Sequence, residues 1–128
     1  MPTILIVDDS PTIRRMVRAS LAPLAADFVE AGSGLEAIEF LAVRGIDAIT
    51  LDLNMPDMHG LDVLRFVRSH SQYNRVPVLV LTTRGDAESR EAAAKAGATA
   101  YATKPFSPPS LMATMKDLLA NVDARSAR

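Results

Sequence analysis

The amino-acid sequence predicts an α/β fold in which a five-stranded parallel sheet carries helices on both faces. Five short apolar segments alternate along the chain with five segments of helical periodicity. Parallel strands need crossover connections, which are almost always right-handed, so this alternation favours a doubly wound sheet with five helices. Several of the strand-like segments are continuously apolar, which is typical of strands buried on both faces.

The first strand and helix are marked by a buried apolar run and a capping residue. Residues 4–7 predict a strand that stops at Asp8 and Asp9. Ser10 can cap the following helix, and Pro11 occupies its first position, where a missing N–H costs nothing. Helical spacing assigns one face to the core and the other to solvent; the core residues are Ile13, Met16, Val17 and Leu21, and the solvent-facing residues are Arg14, Arg15 and Arg18.

Turn and capping residues mark the second strand and helix. Pro23 should end or kink the first helix, and residues 28–29 predict a short second strand. Ser33 and Glu36 form a capping-box pattern, and Gly45 stands where a C-terminal glycine belongs. A second helix is therefore expected between Ser33 and Gly45.

Two further apolar runs predict the third and fourth strands. Residues 48–51 predict a buried strand that ends at Asp52, and a loop over residues 54–60 leads to the third helix. Residues 78–81 form the most apolar strand of the chain, which ends at Thr82. Both strands are therefore followed by a polar side chain.

The last two helices flank the fifth strand. A helix is expected over residues 87–96, where Gly97 stops it, and Tyr101 lies in a fifth strand that reaches Lys104. Pro108 begins the final helix. The apolar positions of that helix are Leu111, Met115, Leu118 and Leu119.

Composition narrows the class of function. A chain of 128 residues and 13.8 kDa fits one domain, which we place at residues 1–121 with a polar tail at 122–128. Cysteine is absent, which excludes disulfides, thiolate metal sites and cysteine nucleophiles. The net charge of -1 argues against nonspecific nucleic-acid binding, and no apolar run approaches the roughly 20 residues that span a bilayer. We therefore expect a cytoplasmic protein that binds neither nucleic acid nor membrane.

Polar residues follow four of the predicted strands. They are Asp8 and Asp9 after the first strand, Asp52 after the third, Thr82 after the fourth and Lys104 after the fifth. Ligands of open parallel sheets bind outside the carboxyl ends of the strands, so these side chains are expected to meet at one edge.

That combination of side chains suits phosphoryl chemistry with a metal ion. Two like charges about 4 Å apart repel by about 4 kcal/mol at an effective dielectric constant near 20, so clustered carboxylates need a cation. Mg²⁺ prefers oxygen ligands and binds one or two carboxylates together with phosphate oxygens. Thr82 and Lys104 suit the oxygens of a transferring phosphoryl group. We choose Asp52 as the nucleophile, because the adjacent Asp8 and Asp9 can share the metal.

Four motifs, in order and at family spacing, are similar to the receiver domain of two-component response regulators. They are Val7-Asp8-Asp9-Ser10; Leu51-Asp52-Leu53-Asn54-Met55-Pro56 with Gly60; Leu81-Thr82-Thr83; and Ala96-Gly97-Ala98 through Tyr101 to Lys104-Pro105-Phe106. The resemblance covers nearly the whole chain. It implies a flavodoxin-like sheet with strand order 2-1-3-4-5 and a single-domain, chemotaxis-like signalling protein.

The resemblance also implies roles for the site residues. Asp52 would accept a phosphoryl group from a histidine kinase or phosphotransfer domain, and Thr82 and Lys104 would hold that group. The implied Mg²⁺ ligands are Asp8 or Asp9, Asp52 and the backbone carbonyl of Asn54. The protein would not be an enzyme with a free substrate, although weak self-dephosphorylation is expected.

By the same resemblance, phosphorylation would switch a protein-binding face. Tyr101 would turn inward as Thr82 moves, and Pro105 would follow a cis peptide bond. A downstream protein would bind the face formed by helix four, strand five and helix five. Thr83 and Arg84 differ from the residues of fast-cycling chemotaxis members, which predicts slower self-dephosphorylation.

Three other classes of function remain open at the level of sequence. The chain could be a phosphorelay intermediate or the receiver portion of a hybrid kinase, which phosphotransfer kinetics would separate. A flavodoxin-like cofactor binder is disfavoured because Asp8 and Asp9 would repel an anionic cofactor. A phosphatase of the haloacid dehalogenase type expects a second aspartate two residues after the first, where this chain has Asn54.

Overall fold

The structure confirms the sheet of five parallel strands. The computed structural model describes residues 1–126, with side chains described through residue 121. The strands are β1 Thr3–Val7, β2 Asp27–Ala31, β3 Ala48–Leu51, β4 Val78–Thr82 and β5 Ala100–Thr103. They lie in the order β2-β1-β3-β4-β5, and every neighbouring pair is parallel, as the family resemblance implied.

Five helices connect the strands. They are α1 Pro11–Leu21, α2 Gly34–Val43, α3 Gly60–Ser69, α4 Ala87–Ala96 and α5 Pro108–Ser126, and a short 3-10 helix, Ala22–Leu24, follows α1. The two predicted N-terminal caps are present, since the Ser10 side chain accepts a hydrogen bond from the amide of Ile13 and the Ser33 side chain accepts one from the amide of Glu36. Gly97 ends α4 with φ 108°, a left-handed conformation that favours glycine.

The sheet separates two apolar cores. One core lies between the sheet and α2, α3 and α4, and the other lies between the sheet and α1 and α5. Successive strand residues point to opposite faces, so Leu5 and Val7 belong to the first core and Ile4 and Ile6 to the second. Burial on both faces explains why β1, β3 and β4 have unbroken apolar sequences.

Three local expectations were wrong. Met16, assigned to the core, is 48% exposed. Gly45 does not cap α2, because the helix ends at Val43 and Arg44 takes the C-cap position in an extended conformation with φ -133°. The second strand is longer than residues 28–29, since β2 spans Asp27–Ala31 with only one side fully covered.

The C-terminal prediction falls mostly beyond the described side chains. Helix α5 continues to Ser126, whereas the side chains of the expected tail, 122–128, lie outside the described residues. The division of the chain at residue 121 stays a prediction. Within residues 1–126, no helix is long and apolar enough to cross a bilayer.

Candidate functional site

Strand register brings the predicted polar residues to one edge of the sheet. Val7 is level with Leu51 in the β1–β3 pair, so Asp8 and Asp52 leave the sheet side by side. Thr82 is level with Thr103 in the β4–β5 pair, so Lys104 follows directly beyond Thr82. Backbone bonds extend this register past the strands, from the amide of Asp52 to Val7 (3.0 Å) and from the amide of Lys104 to Thr82 (2.8 Å). The expected convergence is therefore confirmed.

Three carboxylates form an acidic cluster at this edge. One oxygen from each of Asp8, Asp9 and Asp52 lies within 4.8 Å of the others. Asp8 and Asp52 are 3% and 5% exposed, whereas Asp9 is exposed to solvent. An all-oxygen donor set with excess negative charge suits a hard divalent cation such as Mg²⁺.

Lys104 is the ion-pair partner of the two buried carboxylates. Its Nζ lies 2.6 Å from Asp8 Oδ2 and 3.5 Å from Asp52 Oδ1, and its side chain is 11% exposed. One ammonium offsets only one of three carboxylate charges. The cluster therefore still favours a second cation.

The surroundings of Asp52 oppose its ionisation. Burial raises the pKa of the Asp52 carboxyl above its usual value, and the negative charge of Asp8 adds to the rise. Lys104 and the backbone amide of Asn54 act in the opposite direction. A cation at the cluster would likewise lower the pKa of Asp52 and favour its nucleophilic, ionised form.

Thr82 and Asn54 complete the wall beside Asp52. Thr82 is fully buried, and its hydroxyl accepts a hydrogen bond from the side-chain amide of Asn54 at 3.5 Å. The backbone amide of Asn54 lies 3.4 Å from Asp52 Oδ1. The start of the β3–α3 loop therefore folds over the carboxylate that it follows.

Gly60 makes that fold of the loop possible. A Cβ atom at this position would lie 2.4 Å from the backbone oxygen of Asp52 and 2.6 Å from Cα of Leu53. The amide of Gly60 donates to the Leu53 carbonyl at 2.8 Å and closes the loop. Only a residue without a side chain fits so near the backbone of the site.

Tyr101 and the Lys104–Pro105 bond lie beside the site. The Tyr101 hydroxyl donates to the backbone carbonyl of Arg84, in the loop that follows β4. The guanidinium of Arg90 lies 4.7 Å from the centre of the Tyr101 ring, and burial raises the pKa of this tyrosine. The Lys104–Pro105 peptide is cis, as the resemblance implied.

Sequence reasoning missed two residues that support the site. Arg14 was assigned to a solvated face, but its side chain is 17% exposed, donates to the Asp8 carbonyl at 2.6 Å and pairs with Glu30 at 3.0 Å. Asp57 was read only as part of a loop, yet its carboxylate accepts two backbone hydrogen bonds from the start of α2. Glu30, a charged residue within the apolar strand β2, was a sequence signal that a cation of α1 such as Arg14 would pair with it. No local sequence pattern identifies the partners of Asp57.

Comparison with known proteins places this arrangement in a family. The family model of the response regulator receiver domain matches residues 4–116. The chain is 38% identical over 122 residues to chemotaxis protein CheY1 of Helicobacter pylori, covering 94% of this chain and 98% of that protein. It is 37% identical over 118 residues to a CheY homologue of Campylobacter jejuni, covering 91% of each.

A solved structure agrees with the sequence comparisons. Chemotaxis protein CheY4 of Vibrio cholerae is 37% identical and superimposes with a TM-score of 0.87, covering 93% of this chain and 99% of that one. The motifs, the strand order and the acidic cluster are thus consistent with the family that the sequence motifs indicated. The chain belongs to the response regulator receiver domain family and is a CheY-like protein of two-component signalling.

Proposed function

We propose that the chain accepts a phosphoryl group on Asp52 from a phosphohistidine of a histidine kinase or phosphotransfer domain. The observation that carries this proposal is the buried carboxylate of Asp52, which belongs to the acidic cluster and pairs with the Lys104 ammonium. The buried hydroxyl of Thr82 lies at the same end of the sheet. In the transfer, a carboxylate oxygen of Asp52 forms a bond to phosphorus while the phosphorus–nitrogen bond breaks. The bonding pair returns to the imidazole of the donor.

The acidic cluster is proposed to bind Mg²⁺. Asp8, Asp9, Asp52 and the backbone carbonyl of Asn54 would hold the ion, and the ion would neutralise charge on the carboxylates and the phosphoryl oxygens. The donor set supports this assignment because every side-chain ligand is a carboxylate and the described ammonium leaves an excess of negative charge.

Lys104 and Thr82 are proposed to bind the attached phosphoryl group. Lys104 pairs mainly with Asp8 before transfer, so the ammonium would exchange that carboxylate for a phosphoryl oxygen. The Thr82 hydroxyl would leave Asn54 and donate to another phosphoryl oxygen. Both movements couple the chemistry to β4 and β5.

The output is proposed to be a changed protein-binding face on α4, β5 and α5. A groove of about 310 Å³ on this face is lined by residues that include Arg90, Tyr101, Phe106 and Leu111. Movement of Thr82 would alter the space beside Tyr101, whose hydroxyl is bound to the β4–α4 loop. A downstream protein that reads this groove would therefore sense the phosphorylation state.

The cellular role is proposed by analogy with the named relatives. Those from Helicobacter pylori, Campylobacter jejuni and Vibrio cholerae are chemotaxis proteins, which supports a role in chemotactic signalling in the cytoplasm. The protein would act as a phosphoacceptor with slow self-dephosphorylation, and it would have no free substrate.

Labelling of Asp52 tests the proposal. The wild type should be labelled by a small acyl-phosphate donor such as acetyl phosphate only when Mg²⁺ is present, and Asp52→Asn should lose the label because an amide is not a nucleophile here. Asp117→Asn, which changes an exposed aspartate on α5, serves as the matched control and should label normally. Full labelling of Asp52→Asn would assign the phosphoacceptor to another residue.

A further inference from the structure

The carboxylate of Asp57 joins two elements that are far apart in the sequence. Asp57 lies in the loop between β3 and α3, and its two oxygens accept hydrogen bonds from the amides of Gly34 and Leu35, each at 3.1 Å. Those amides belong to the first two residues of α2 and have no acceptor within the helix. Asp57 therefore caps a helix that it does not belong to.

This contact completes the hydrogen bonding at the start of α2. The Ser33 side chain accepts from the amide of Glu36, and the Ser33 carbonyl accepts from the amide of Ala37, both at 3.1 Å. With Asp57, each of the first four amides of the helix has an acceptor. The hydrogen bond from Leu35 is the largest of several that lower the pKa of Asp57, so the carboxylate stays ionised at neutral pH.

The loop also packs directly on the start of α2. A Cβ atom on Gly34 would lie 2.9 Å from Cβ of Met58 and 3.0 Å from the side chain of Val63, so glycine permits this approach. At its other end, the loop is closed by the bond from Gly60 to Leu53. The β3–α3 loop is thus held in two places, by the hydrogen bond between Gly60 and Leu53 and by its contact with α2. Asp57 supplies the hydrogen bonds of the contact with α2.

The two segments that Asp57 joins, the β3–α3 loop and the start of α2, are each connected to the acidic cluster. Asn54, three residues before Asp57, has its amide 3.4 Å from Asp52 Oδ1. On the other side, β2 ends shortly before α2, and its last residue, Ala31, accepts a hydrogen bond from the amide of Asp8 at 3.1 Å. The tie between Asp57 and α2 therefore connects the loop of Asn54 to the framework that holds Asp8.

We infer that Asp57 is a positioning residue for the cation site, because it fixes the β3–α3 loop to α2 and so sets where the Asn54 backbone meets the acidic cluster. This inference rests on the proposed role of that cluster in binding Mg²⁺. Asp57 itself binds neither the ion nor the phosphoryl group. Because the carboxylate is exposed and solvent screens its charge, its effect is expected on geometry more than on stability.

The test compares the Mg²⁺ dependence of three variants with that of the wild type. Asp57→Ala removes both acceptor oxygens, and Asp57→Asn keeps one. Asp47→Ala is the matched control, since Asp47 also accepts a hydrogen bond from a distant backbone amide, Thr3 at 2.7 Å, but at the opposite edge of the sheet. Labelling by acetyl phosphate across a Mg²⁺ titration gives the midpoint and the maximal rate, calorimetry gives Mg²⁺ binding without a donor, and thermal melting reports the fold.

Asp57→Ala should raise the Mg²⁺ midpoint about tenfold while the rate at saturating Mg²⁺ stays unchanged, since outer contacts that orient metal ligands have effects of this order. Asp57→Asn should show a smaller rise, and it serves as the test if Asp57→Ala does not fold. Asp47→Ala should keep the wild-type midpoint even if its melting temperature falls.

A wild-type midpoint in both Asp57 variants would overturn the inference, as would an equal rise in Asp47→Ala. The outcomes also separate this inference from the proposed function. If the wild type binds Mg²⁺ but Asp52 is not labelled, the phosphoacceptor role fails while calorimetry still tests Asp57. If the wild type binds no Mg²⁺ at all, both fail.

Discussion

Lys104 offsets part of the negative charge of the acidic cluster. Its ammonium lies between the two buried carboxylates, at 2.6 Å from Asp8 and 3.5 Å from Asp52. With Mg²⁺ bound at the cluster as proposed, the same ammonium would compete with the ion for Asp8. Residue 104 would therefore affect the metal-free stability and the affinity for Mg²⁺ in opposite directions.

Lys104→Met should destabilise the metal-free protein and enlarge the stabilisation by Mg²⁺. Removing one partner of a buried ion pair costs about 3–5 kcal/mol, because the remaining carboxylates are left unpaired. Thermal melting with and without Mg²⁺ measures both effects. Lys95→Met, which breaks an exposed pair with Glu91, is the control and should change neither by more than about 1 kcal/mol. A Mg²⁺ effect equal to that of the wild type would show that Lys104 does not compete for the site.

Arg84 should slow the loss of the phosphoryl group. Its side chain is 62% exposed and pairs with Asp86. A guanidinium has no acceptor atom, so it cannot orient an attacking water as a carboxylate or amide would. Arg84→Glu should accelerate decay of the phosphoprotein by up to about 100-fold, and the bond from Tyr101 should persist because it uses the backbone carbonyl. The decay of isolated phosphoprotein is the measurement, with Arg75→Glu as a control for the change of charge. Unchanged decay would remove Arg84 from the account.

Arg14 and Asp57, the two supporting residues that sequence reasoning missed, have partners that are distant in the sequence. Asp8, Asp52, Thr82 and Lys104 each follow an apolar strand, and that pattern is visible in the sequence. Arg14 carries the spacing of a solvated helix face, and its burial depends on Glu30, which lies on a neighbouring strand. Periodicity assigns a residue to a face, but it does not identify what that face meets.

At the scale of elements, the β3–α3 loop is constrained by close contacts with its neighbours. Gly60 closes it against the backbone of Asp52 and Leu53, and Met58 packs on the first residue of α2. The conformation of the loop is therefore set by close approach of backbone atoms.

Gly60→Ala should destabilise the protein by about 1–3 kcal/mol and weaken Mg²⁺ binding, because the added methyl group would force the loop away from Asp52. Gly45→Ala is the matched control. Gly45 has no atom within 4 Å of an added Cβ and no positive φ, so alanine there should be neutral or stabilise by about 0.4–1 kcal/mol. Chemical denaturation measures both variants, and equal stabilities would contradict the close approach.

The strands that are most buried were the ones whose bounds the sequence predicted best. Strands β1, β3 and β4 were predicted to within a residue, because burial on both faces produces an unbroken apolar run. Strand β2 lies at the edge of the sheet and carries Asp27 and Glu30, so its apolar signal is shorter than the strand. Helix α2 ends without the expected glycine cap, which shows that a glycine near a helix end does not by itself define the end.

At the scale of the whole molecule, the fold concentrates negative charge at one end of the sheet. The strand order produces this concentration of charge. It could be predicted only from the family resemblance, because the sequence patterns that mark strands and helices do not show which strands are neighbours. The order places β1 and β3 together at the centre, where Asp8 and Asp52 emerge side by side. The electrostatic cost of that placement is borne by the native state alone, since the residues are far apart in an unfolded chain.

Mg²⁺ should therefore stabilise the whole protein. An ion that binds the native state alone adds about 2.7 kcal/mol to the free energy of unfolding at a concentration 100 times its dissociation constant. The melting temperature should rise with Mg²⁺, and an equal ionic strength of potassium chloride controls for screening. Asp8→Asn combined with Asp9→Asn should abolish the rise. A melting temperature that does not respond to millimolar Mg²⁺ would contradict the cation site.

The most direct measurement is a crystal structure of the protein with Mg²⁺ and beryllofluoride, which mimics an attached phosphoryl group. We expect beryllium bonded to a carboxylate oxygen of Asp52, Mg²⁺ bound by Asp52 together with Asp8 or Asp9 and the Asn54 carbonyl, and Lys104 moved from Asp8 to a fluorine atom. An adduct on any other residue, or Mg²⁺ bound away from these carboxylates, would contradict the account.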